Sequence, residues 1–252
     1  MKRILLFCLL MVAVVCKAQQ LPKSYYSKYH TPINNKKLYI NLAVGYSIPK
    51  GIIHEQPSAD AYLEAPFKAA TGLGLKAGYE FEYTMKFVPG EEKNRYSNPR
   101  FMFLYAVDFS SHKTKWDDFS DDFKTSSFTF LSMGAGLELS YSLKDICVLS
   151  ANYKIMGCFP FSMPGVEYTG GGYSYKVVPE SDVPAGYFHS YTFGLRYRKH
   201  WFLNLQLKSA NFKPNYVLTK KADDQYSNDD LYMTFPALFI YKTTSIQLGV
   251  NF

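Results

Sequence analysis

Apolar and polar residues alternate one for one over long stretches of this chain, the period of an extended strand whose side chains point to opposite faces in turn. The last residues show it most plainly. Ile246, Leu248, Val250 and Phe252 fall on one side, and Ser245, Gln247, Gly249 and Asn251 on the other. The same alternation predicts strands at 38–48, 69–83, 100–110, 128–141, 146–158, 187–198, 201–212 and from near Pro236 to 252. One face of each is greasy and the other small, polar or charged. In the third, Phe101, Phe103, Tyr105, Val107 and Phe109 oppose Met102, Leu104, Ala106 and Asp108.

Such a strand suits a wall with hydrocarbon outside and water or polar side chains inside. Each segment matches or exceeds the roughly nine to eleven residues that cross a bilayer when tilted, and eight is an even number. Long connections at 49–67, 111–126, 159–186 and 213–235 alternate with short ones at Leu143-Lys144-Asp145 and Lys199-His200. The fold expected is all-β: a single antiparallel up-and-down transmembrane β-barrel of eight strands over 38–252. The connection at 84–99, with Pro89-Gly90 and Asn98-Pro99, is long for the short-turn side, so strand ends there are open.

Ahead of the strands, Lys2 and Arg3 precede an apolar stretch from Ile4 to Val15 and a small-residue site at Cys16-Lys17-Ala18. This reads as a signal peptide over 1–18, cleaved after Ala18, its core far short of the roughly twenty residues of a spanning helix. Ala13-Val14-Val15 ahead of Cys16 lacks a lipoprotein signature, so no lipid anchor is expected. Residues 19–37, polar and carrying Lys23, Lys28, Lys36 and Lys37, read as a periplasmic arm.

Composition adds one anomaly and removes one class. The chain holds 22 Tyr and 20 Phe among 252 residues, the rings that girdle a barrel at both headgroup levels. Without Lys2, Arg3 and Lys17, 25 basic residues face 21 acidic ones, a net charge of +4 that is too mild to imply nucleic acid. Past the leader, Cys147 and Cys158 share one strand, roughly 36 Å apart at about 3.3 Å per residue. A disulfide needs its Cα atoms within about 7 Å, so both are expected to be unpaired.

Inward-facing charges sort by strand. Glu80, Glu82, Asp108 and Glu138 lie on strands two to four, Lys154, Arg196, Arg198 and Lys208 on strands five to seven, and Lys76 is the exception. An eight-stranded barrel is barely wide enough for its side chains, so acids on one wall can meet bases on the other and plug the lumen with ion pairs. The strand directions predict two layers. Glu80, Glu82, Glu138, Arg196 and Arg198 would lie near the short-turn end, with Asp108, Lys154 and Lys208 above them.

The strand closing on Phe252 resembles the insertion signal of Gram-negative outer-membrane β-barrels, carried here by Ile246, Leu248, Gly249, Val250 and Phe252. With its alternating strands, 38–252 resembles the small bacterial outer-membrane β-barrel proteins. The resemblance implies periplasmic chaperones and the barrel-assembly machinery as partners, and residence in the outer membrane among its lipid and lipopolysaccharide. It implies no substrate, because such barrels host adhesion, structural, transport and enzymatic roles.

Enzymatic members similar to lipid A acyltransferases, deacylases or surface proteases need a His near Ser or Asp at the outer rim. The candidates are His189-Ser190 and His112 with Ser110 and Ser111, and parity aims His189 at lipid. Acid pairs at Asp117-Asp118, Asp121-Asp122, Asp223-Asp224 and Asp229-Asp230 lack calcium-loop spacing, and Gly170-Gly171-Gly172 lacks the helix and lysine of a phosphate loop. No catalytic set, metal or cofactor is expected. The expected role is a non-enzymatic envelope protein whose long loops bind partners or stabilise the surface. The alternatives are a narrow channel for small solutes and a lipid A-modifying enzyme.

Overall fold

Period-two alternation builds thirteen strands in the computed structural model, which describes residues 38–55, 73–89, 99–116, 123–143, 147–170, 173–180, 185–197, 200–222 and 231–252. In chain order they are β1 (Leu38–Glu55), β2 (Leu73–Leu75), β3 (Gly78–Phe87), β4 (Arg100–Trp116), β5 (Phe123–Thr125), β6 (Ser127–Leu143) and β7 (Cys147–Ser162). There follow β8 (Val166–Gly170), β9 (Tyr173–Pro179), β10 (Gly186–Tyr197), β11 (Trp201–Phe212), β12 (Asn215–Ala222) and β13 (Leu231–Asn251). Eight of them, β1, β3, β4, β6, β7, β10, β11 and β13, pair antiparallel in that order. β13 then returns to β1, from Asn41 opposite Asn251 to Glu55 opposite Ala237, and closes the barrel. Closure leaves no edge strand in the wall, as a hydrocarbon surrounding demands.

Polarity across the wall is inverted relative to a soluble protein. Val44, Tyr105, Leu137, Leu203 and Ile246 are exposed, while Asn41, Glu82, Lys154, Gln206 and Ser245 are buried. On β4 five outward residues, Phe101 to Phe109, span eight steps of about 3.3 Å at a tilt of about 45°, roughly 20 Å of apolar belt. This is the arrangement of a transmembrane β-barrel. Cys147 and Cys158 are both free.

The second predicted strand breaks in two. Leu75 and Tyr79 share parity, yet Leu75 is 4% exposed and Tyr79 71%. Leu75 pairs with Thr114 and Tyr79 with Ser111, four residues on one side against three on the other. That extra residue is a bulge, and a one-residue slip turns every later side chain to the other face. β3 also runs on to Phe87, which shortens the doubtful 84–99 connection.

All four long connections contain strand: β1 runs to Glu55 within 49–67, and β4 to Trp116 with β5 within 111–126. β8 and β9 lie within 159–186, and β12 within 213–235. β5, β8, β9 and β12 extend from the first residues of β13, so the wall continues as sheet beyond the membrane level on one side. Their Val- and Tyr-rich sequences suit a strand. The signal peptide over 1–18, the arm over 19–37, Arg198 and all four acid pairs lie outside the described residues.

Candidate functional site: the barrel lumen

Three layers of side chains fill the lumen. Near the short-turn end, Lys86 Nζ donates to Glu138 Oε2 at 2.6 Å, and Asn152 Nδ2 donates to the same oxygen at 3.2 Å. Arg100 donates to the Tyr39 hydroxyl at 2.7 Å. The guanidinium carbons of Arg100 and Arg196 lie 5.2 and 5.3 Å from the centre of the Tyr39 ring, within cation–π range. Asn41, Lys86, Glu138, Arg196 and Asn204 line a cavity of about 20 Å³, the size of one water.

Above it lies a layer of ions. Lys154 Nζ donates to Glu82 Oε2 at 2.6 Å, and Gln206 Nε2 donates to that oxygen at 2.7 Å and to Ser190 Oγ at 3.0 Å. Thr84 donates to Glu82 Oε1 at 2.7 Å, and Gln247 Nε2 donates to Gln206 Oε1 at 2.8 Å. Lys208 donates to Asp108 Oδ2 and stands 3.2 Å from Glu80 Oε1. Three carboxylates, Glu80, Glu82 and Asp108, thus meet two ammonium groups, all buried. Buried ions need such pairing because each loses its hydration.

The third layer is aromatic. Phe128 stands 4.9 Å from Phe130, 5.8 Å from Phe212, 5.1 Å from Phe239 and 5.3 Å from Tyr241, ring centre to ring centre. Phe188, Met156, Cys158, Leu75, Tyr216 and Leu218 complete a buried apolar cluster at the long-loop end. Lys208 Nζ lies 5.6 Å from the Phe188 ring and joins the ion layer to this plug. At the same junction His112 Nε2 lies 2.9 Å from the Tyr241 hydroxyl and 3.4 Å from Ser47 Oγ.

Of the residues the sequence sends inward, Glu80, Glu82, Asp108, Lys154 and Lys208 come together, and Glu138 and Arg196 line one small cavity. Two placements differ. Lys76 is exposed at the bulge, its amide donating to the Lys113 carbonyl at 2.7 Å, and takes no part in the lumen. Glu80 and Glu82 belong to the middle layer, not the lower one, because β3 continues to Phe87 and sets them in register with Ser110 and Asp108. Sequence reasoning missed Lys86 and Arg100, which fell in or beside the connection left open. It also missed the plug, although Phe130, Phe188 and Tyr241 share parity with the inward Ser132, Ser190 and Thr243.

The rim candidates do not assemble a nucleophile and base. His189 faces outward while Ser190 is buried and bonded to Gln206. Ser111 bonds Thr129 at 3.1 Å, and His112 spends Nε2 on Tyr241 and Ser47. Among the described residues no group of three His, Cys, Asp or Glu could hold a metal ion. In the insertion signal, Ile246, Leu248 and Phe252 are exposed and Val250 is half-buried, whereas Gly249 faces inward against Phe202.

No family model matches the chain, and no curated protein does. Among solved structures it is similar to outer membrane protein OprG from Pseudomonas aeruginosa, at 8% identity over 87% of this chain and 97% of that one, with a TM-score of 0.46. The outer membrane protease OmpT from Escherichia coli is 11% identical over 86% and 97%, with a TM-score of 0.48. Ail, the attachment invasion locus protein of Yersinia pestis, is 11% identical over 86% and 100%, with a TM-score of 0.36.

Proposed function

We propose that this chain is an exported, non-enzymatic barrel of the outer membrane, closed to solutes, that presents its raised sheet and long loops at the cell surface as a structural or partner-binding element. On this reading residues 1–18 direct export and are removed, and 19–37 remain on the periplasmic side. Ile246, Leu248, Gly249, Val250 and Phe252 present the closing strand to the assembly machinery, after chaperones have carried the chain across the periplasm. Short turns belong in the periplasm and the long connections outside.

One observation carries the proposal: the lumen is filled from wall to wall in two successive layers, ions and then aromatic rings. Ion conduction needs a hydrated path with sites that bind and release, and neither layer offers one. A sheet continuing the wall past the membrane holds its loops on a rigid base, which suits recognition.

Single-channel recording in planar bilayers tests this. The purified barrel is expected to give no unitary steps. Steps that vanish on Glu138→Gln or change selectivity on Lys208→Met would establish a conducting lumen and overturn the reading.

A further inference from the structure

The lipid-facing wall carries a polar row where its apolar belt ends. His189 on β10, Ser209 on β11 and Lys242 on β13 stand directly opposite one another across two ladders, and all three are exposed. Directly opposed side chains on one face lie about 5 Å apart at Cβ, so the three can close on a single small group. Lys242 is also in register with Lys50 on β1. Towards the short-turn end the same face passes Tyr191, Leu207 and Thr244 and becomes apolar at Phe193, Leu205 and Ile246. The row therefore sits where lipid tails give way to headgroups.

Its chemistry is that of a phosphate site. The Tyr153 hydroxyl lies 2.7 Å from His189 Nδ1, with the two rings stacked at 5.9 Å and 13°. A phenol is the stronger donor, so Tyr153 donates to Nδ1 and His189 keeps hydrogen on Nε2. Nε2–H, the Ser209 hydroxyl and the Lys242 ammonium then form a row of donors with one positive charge. Among the described residues no ion pair engages Lys242.

We infer that His189, Ser209 and Lys242 bind the phosphate of a membrane lipid whose chains lie on the apolar wall beneath. The inference goes beyond the proposed surface role and rests on the membrane placement of this wall. It does not rest on the closed lumen, so observed conductance would leave it standing.

Native mass spectrometry of the full chain refolded in a maltoside detergent, with dioleoyl phosphatidic acid as probe, provides the test. Wild type is expected to retain the lipid. Lys242→Gln should weaken binding about tenfold, as loss of one charge-assisted hydrogen bond implies, and Ser209→Ala by less. Lys113→Gln, an exposed lysine on β4 away from the row, should stay within about twofold of wild type on the same scale. Gel mobility of unheated samples confirms that each variant is folded. The inference fails if dioleoylglycerol binds as well as the phosphatidic acid, if Lys242→Gln matches Lys113→Gln, or if equimolar inorganic phosphate displaces the lipid.

Discussion

The ion layer and the aromatic plug fill adjacent stretches of one lumen by opposite means. In the ion layer each group depends on a specific partner: Lys208 on Asp108 and Glu80, Lys154 on Glu82. In the plug Phe128 shares its contacts among Phe130, Phe212, Phe239 and Tyr241. Dispersion and apolar burial are shared among many neighbours, whereas a buried charge stripped of its counter-ion has no substitute. The ion layer should therefore be brittle to removal of either ammonium and tolerant of removing the surplus carboxylate or balanced sets, and the plug should fail by degrees.

The largest effect is expected at Lys208. Lys208→Met strands Asp108 and Glu80 and should cost about 3–5 kcal/mol in urea unfolding followed by gel mobility. The triple change with Asp108→Asn and Glu80→Gln should recover most of it. A loss under about 1 kcal/mol would mean that the layer is hydrated and the contrast false. Phe128→Ala comes next, at about 3 kcal/mol from the cavity it leaves.

Backbone proximity predicts a middle-sized effect. A Cβ on Gly136 would sit 2.0 Å from the Tyr153 carbonyl oxygen, so Gly136→Ala should force β6 and β7 apart beneath the ion layer and cost about 1–3 kcal/mol. Glu80→Gln removes the surplus negative charge and is expected to lie within about 1 kcal/mol of wild type, or above it, in the same unfolding measurement.

The smallest effect belongs to the exposed counterpart of the buried pairs, Glu167 and Lys176 at 2.6 Å on the raised sheet. Hydrogen bonding and attraction from Lys176 hold the Glu167 carboxyl below its ordinary value. Its small contribution is therefore present above the unfolded-state pKa and fades as pH falls through the folded one. Both side chains are about half exposed and water-screened. Lys176→Ala should cost less than about 1 kcal/mol, readable as a shift in the same unfolding curve at pH 7 that is lost once acid protonates the carboxylate in both states. A cost equal to that of Lys208→Met would erase the distinction between buried and exposed pairs.

Side-chain parity made much of this legible from sequence. A two-residue period leaves little freedom once one face is fixed, so the inward Glu82, Asp108, Lys154 and Lys208 could be named in advance. Height was less legible, because it depends on where strands end and not on which way they face. The extra residue near Lys76 moved that lysine outside, and the continuation of β3 to Phe87 raised Glu80 and Glu82 by a layer. The plug was hidden for another reason. An aromatic residue at the end of a strand suits a girdle as well as the interior, and only its parity, Phe128 with the inward Ser132 and Phe109 with the outward Tyr105, tells the two apart.

The seam between β1 and β13 joins the two strands farthest apart in the described sequence, and the amide of Phe252 reaches back to the carbonyl of Ile40 at 2.9 Å. A polypeptide arriving in the membrane therefore cannot seal progressively: until β13 docks, β1 and β11 both present raw hydrogen-bonding edges to whatever surrounds them. Sealing the wall is thus one event that needs both ends of the described sequence at once.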